Sequence, residues 1–131
     1  MQKTFFLTGA LFGGLAVILG AFGAHALKSK LSADALLTFE TGVRYQFYHA
    51  FALIIVALMA GKISSSLLNY SGICFIAGVV LFSGSIYLLA TRELLGIDSW
   101  KSVLGPVTPL GGLCFVAGWI FLMIVILKSK F

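Results

Sequence analysis

The residues with chemistry to offer are concentrated in one stretch, FETGVRYQFYH, positions 39–49. At about 100° per residue, Glu40, Thr41, Arg44, Tyr45, Tyr48 and His49 share one broad arc of a helix. Gln46, Phe47 and Phe51 fall outside that arc. Glu40 stands four residues before Arg44, the favoured order for a helical ion pair. A second histidine, His25, closes the first apolar run, and Thr108 precedes the last one. Ionisable groups inside a membrane span are candidates for function. The candidate binding residues are therefore His25, Arg44, Tyr45, Tyr48, His49 and Thr108, forming a polar pocket just below one membrane surface. The competing reading makes Arg44, Tyr45 and Tyr48 interfacial anchors and His49 a hydrogen-bonded packing histidine.

Other chemistries fit less well. No serine–histidine–acid set lies at one depth, so no catalytic residue is named and no enzyme is expected. Two histidines on neighbouring helices suit a haem or a metal, but no spaced motif accompanies them, and neither cofactor nor metal is expected. All four acids lie in connectors or at helix edges, which argues against a proton-coupled cation exporter. The stretch GPVTPLGG, 105–112, leaves free N–H groups at a helix start, suited to a lipid phosphate or carboxylate or simply to close glycine packing.

The elements that position these residues follow from composition. Of 131 residues, 60% are hydrophobic and 10% charged, with a mean hydropathy of +1.10. A soluble globule carries about 25% charged residues. The expected fold is an all-α integral membrane protein, a single domain over 1–131, with four antiparallel spans at about 4–27, 44–60, 67–91 and 109–127. Leu31, Ala35, Leu36 and Phe39 recur at helical spacing. They predict a short interfacial helix over 32–43, capped by Ser32, running straight into the second span. Thr108 before Pro109 reads as the capped start of the fourth span.

The end of the first run, GAFGAHALKSK (20–30), contains Ala24-His25-Ala26, which mimics a signal-peptide cleavage site. The run before it is too long for a signal core and carries Gly9, Gly13, Gly14 and Gly20, a small-residue packing face. The first span is expected to be retained, with His25 at its end. The +5 net charge is spread over loops and ends, which points to the lipid bilayer as a partner and away from nucleic acid. Lys3, Lys62, Lys128 and Lys130 fall on the side of both termini, and Lys3 ahead of the first span favours cytoplasmic termini in a bacterial cell membrane.

An internal echo stands out. GICFIAG (72–78) in span three resembles GLCFVAG (112–118) in span four, and the two spans run in opposite directions. The echo suits an inverted repeat, or follows from glycine-rich composition alone. With each cysteine near the start of its own helix, Cys74 and Cys114 are expected about 10 Å or more apart in depth and unbridged.

Four motifs in order, GAFGAH (20–25), TGVRYQFYHA (41–50), LFSGSIYLLA (81–90) and GPVTPLGGLCFVAGW (105–119), resemble the small membrane proteins of domain-of-unknown-function family 423, which includes the animal transmembrane protein 256. The matching positions are Gly23, His25, Gly42, Arg44, Tyr45, His49, Ser83, Gly84, Pro106, Thr108, Pro109, Gly111 and Gly112. The resemblance covers essentially the whole chain and implies a four-span membrane protein without an assigned activity. The expected role is a packing, assembly or accessory subunit, as a homo-oligomer or within a larger membrane complex. The alternative is a unit that binds or transports a small molecule or lipid.

Overall fold

The computed structural model describes residues 1–129; Lys130, which sequence places after the last span, lies outside the described residues. Helices α1 (Gln2–Leu27), α2 (Ala33–Ala60) and α3 (Ser66–Ala90) are each long and apolar enough to cross a membrane. A short helix, α4 (Arg92–Leu95), and a 3₁₀ turn, Asp98–Trp100, lead into the fourth, α5 (Lys101–Lys128). The chain is an all-α membrane bundle, with no strand among the described residues. Gly96, at φ +69°, ends α4 in the left-handed conformation that glycine adopts without a Cβ clash.

Pairing is sequential. α1 packs along α2, α3 packs along α5, and α2 joins the two pairs through α3. Ser32 caps α2, its Oγ accepting from the Ala35 N–H at 3.2 Å, and Asp34 in the first turn complements the helix dipole. From there α2 is one uninterrupted helix. Its buried stripe, Phe39, Gly42, Gln46, His49, Leu53 and Val56, alternates intervals of three and four, the seam that faces neighbouring helices. Leu53, Val56, Leu68, Phe75 and Phe115 form the main core with Phe5 of α1, and Leu27, Phe39 and Ala90 form a smaller one at the opposite end. Leu7, Leu11 and Ile18 of α1 and Leu113, Val116 and Met123 of α5 stay exposed, as side chains facing lipid do.

The heptapeptide echo has a structural consequence. Phe75 packs against Gly118, where a Cβ would stand 2.6 Å from its ring, and Phe115 packs against Gly78. Each copy lends the other a phenylalanine and receives one over its own last glycine. Antiparallel pairing of like sequences makes the exchange reciprocal.

Two expectations are corrected. The fourth membrane helix starts at Lys101, with Pro106 and Pro109 both inside it. Thr108 therefore does not cap a helix; its hydroxyl lies 3.3 Å from the Leu104 carbonyl within the same helix. Proline suits a first helical turn, which made Thr108-Pro109 read as a start. A proline inside a membrane helix is also tolerated, because neighbouring side chains and helices satisfy the freed groups. This early start also changes the cysteine geometry. The Ser71 Oγ to Gly118 carbonyl bond, at 2.8 Å, sets the register of α3 against α5 and brings Cys74 and Cys114 within about one helical turn in depth. Moving a helix start from 109 to 101 shifts depth by about 12 Å, which accounts for the difference. Both cysteines are free thiols.

Candidate functional site

Of the six predicted site residues, only His49 is deeply buried, at 4% exposure. It lies on the inner stripe of α2 between Phe75 of α3 and Phe115 of α5, its ring stacked on Phe115 with centroids 3.5 Å apart and 8° between planes. Trp119 Nε1 donates to His49 Nε2 at 3.2 Å, and His49 Nδ1 lies 2.7 Å from the Tyr45 carbonyl. An indole N–H only donates, so Nε2 accepts and Nδ1 carries the proton. His49 is thus a neutral imidazole with both nitrogens engaged. Ligating a metal or haem would require breaking one of those bonds.

The other five are dispersed. Tyr45 is 40% exposed and packs its ring on Phe82, while Tyr48 is 57% exposed and touches Tyr45 edge-on. Arg44 is exposed, and its Nη2 donates to Thr41 Oγ1 at 3.2 Å on its own helix. Among the described residues the one ion pair is Arg92 with Asp98, so the expected Glu40–Arg44 pair does not form. Thr41 lies nearer along the helix, at three residues, and takes the guanidinium instead. His25 is exposed in a π-helical turn, Gly23–Leu27, that ends α1. Thr108 faces α3, its hydroxyl 2.6 Å from that of Ser85. The structure brings Tyr45 and His49 into one aromatic cluster. His25 stays exposed at the end of α1, and Arg44 stays exposed along the outer side of α2.

The polar interior is built largely from residues outside the predicted set. Gln46 donates from Nε2 to the Phe12 carbonyl of α1 at 2.8 Å and accepts from Tyr87 Oη of α3 at 2.7 Å, so one side chain ties three helices. Ser83 donates to the Gly42 carbonyl at 2.7 Å from the second π-helical turn, Val79–Ser83. That turn fits one extra residue into α3 and aims the hydroxyl at α2. Ser71 donates to Gly118 of α5 in the same manner. Gln46 was legible in principle, as the one amide in the three-four stripe of α2. The arc of charged and aromatic residues shares only His49 with that stripe and otherwise lies to one side of it. Ser71, Ser83 and Ser85 carry no such signal, because a serine in a membrane helix looks alike whether it bonds its own helix or a neighbour.

A polar cleft of about 270 Å³ lies elsewhere, where the α1–α2 connection meets the end of α3, and none of the six residues lines it.

Residues 19–112 match the family described as protein of unknown function, DUF423. The chain is 42% identical to the UPF0382 membrane protein YwdK of Bacillus subtilis, over 97% of this chain and 98% of that protein. It is 42% identical to a UPF0382 membrane protein of Staphylococcus haemolyticus and 40% identical to one of Staphylococcus aureus, each over 97% of this chain and 98% of the relative. No solved structure matches the chain significantly.

Proposed function

This chain belongs to the DUF423 family, small membrane proteins of unknown activity, and we propose that it is a non-catalytic packing or assembly subunit of a bacterial cell membrane. The observation that carries this reading is the closed interior. Gln46, His49, Ser71 and Ser83 spend their hydrogen bonds on other helices or on their own backbone. Among the described residues no buried side-chain polar atom lacks a partner. A site built for substrate converges a few polar groups on a cavity. Here the same groups join helix to helix, the use that small and polar residues have in membrane bundles.

The apolar outer faces of α1 and α5 are the surfaces this reading offers to a second copy or to a larger complex. Both termini are cytoplasmic in it; Lys and Arg are nearly balanced between the two sides, and Lys3 ahead of the first span supports this orientation. Photocrosslinkers placed at Leu11 and Leu113 in living cells test it. Discrete crosslinked species, and a native particle well above the 14.0 kDa chain, are expected. A strict monomer without crosslinks at either position overturns it.

A further inference from the structure

The polar cleft holds four charged side chains, Lys30 and Asp34 from the start of α2 and its approach, and Arg92 and Glu93 from α4. Charges of both signs on one cleft are free to pair with one another. Here the one ion pair among the described residues runs from Arg92 Nε to Asp98 at 2.8 Å, and Asp98 is outside the lining. Arg92 Nη1 donates to the Leu89 carbonyl at 2.8 Å, which leaves Nη2. Lys30, Asp34 and Glu93 therefore reach the cleft without an ion-pair partner among the described residues.

The charge count selects the ligand class. Two cations and two anions line the cleft, so a simple anion meets two carboxylates and a simple cation meets two bases. A molecule carrying both signs satisfies each pair. The cleft also sits where α1 ends at Leu27, α2 begins at Ala33 and α3 ends at Ala90, the level at which lipid headgroups lie. Leu31, Leu89 and Leu94 line it beside the charges, and they suit an acyl-glycerol stem.

We propose that this cleft binds a compact zwitterion, a primary ammonium held by Asp34 and Glu93 and a phosphate held by Lys30 and Arg92, as in an ethanolamine phospholipid headgroup. A primary ammonium donates charge-assisted hydrogen bonds to carboxylates, and a trimethylammonium has no N–H to donate. The site is thus expected to separate ethanolamine from choline lipids.

The test uses the full-length protein in maltoside detergent. Native mass spectrometry is run with equal dioleoyl phosphatidylethanolamine, phosphatidylcholine and phosphatidylglycerol, and calorimetry with free O-phosphoethanolamine. The ethanolamine lipid is expected to be retained about tenfold over the other two. The double variant Asp34→Asn/Glu93→Gln is expected to lose that preference while keeping its helical circular dichroism. If that variant does not fold, Lys30→Met alone is expected to weaken retention of the ethanolamine lipid several-fold. Binding of free phosphoethanolamine without lipid selection supports the zwitterion site and assigns it a soluble source. Equal retention of all three lipids with no phosphoethanolamine binding overturns the proposal, as does a folded double variant that keeps the preference. A monomeric protein that still selects the ethanolamine lipid ends the assembly reading and leaves this one standing.

Discussion

His49 is held at three faces, by Trp119 at Nε2, by its own helix at Nδ1 and by the Phe115 ring beneath it. The substitution His49→Phe keeps the stacking and deletes the acceptor. It is expected to destabilise the bundle by about 1 kcal/mol, the scale of one hydrogen bond between membrane helices. In a Trp100→Phe background it is also expected to shift Trp119 emission, because the indole N–H loses its partner; unchanged emission would show that the bond contributes nothing. Gln46→Leu removes two bonds at once, to α1 and to Tyr87, and is expected to cost about 1–2 kcal/mol by denaturant titration in detergent. An exposed polar residue of the same helix gives the contrast. Arg44→Gln loses only a local bond to Thr41 and is expected to leave stability within about 0.5 kcal/mol.

At the scale of the elements, the α3–α5 pair depends on the reciprocal phenylalanine–glycine exchange. A valine at Gly118 must displace the Phe75 ring, and one at Gly78 must displace Phe115. Overpacking of this kind costs about 1–3 kcal/mol. Gly118→Val is expected to fall in that range, and Phe75→Leu in the same chain is expected to recover part of the loss. A cycle with no coupling between positions 75 and 118 would contradict the contact. The prolines act on the same element. Pro106 and Pro109 lack the N–H groups that would bond the carbonyls of residues 102 and 105, so the first turns of α5 are more weakly tied than the rest. Pro109→Ala is expected to slow amide hydrogen exchange across 101–110, and unchanged exchange would place the weakness elsewhere.

For the whole molecule, four spans put the two termini and the α2–α3 turn on one side. The α1–α2 connection and α4 lie on the other. In a Cys74→Ser/Cys114→Ser background, single cysteines at Lys3 and Lys62 are expected to respond alike to an impermeant thiol reagent. Those at Lys28 and Lys101 are expected to respond in the opposite way. A split between Lys3 and Lys62 would contradict the four-span topology.

The four spans were legible because length and the absence of charge are local quantities, and a bilayer imposes them on each helix separately. Ser32 as the cap of α2 was legible for the same reason, since a cap is a contact over three residues. The start of α5 was not, because Thr108-Pro109 is equally compatible with a helix start and with a helix interior whose freed carbonyls find other partners. The candidate site divides on the same line. His49 and Tyr45 were visible by residue type, and so was the repeated heptapeptide. Which way His49 faces, that Phe75 and Phe115 exchange glycines, and that Gln46 links α1, α2 and α3 depend on register between helices far apart in sequence. Sequence alone determined that this chain is a four-span helical membrane protein. Only the tertiary structure decided which polar residues close the interior and which face the cleft, because a hydrogen bond across helices is set by relative depth and rotation, and neither is written in either helix alone.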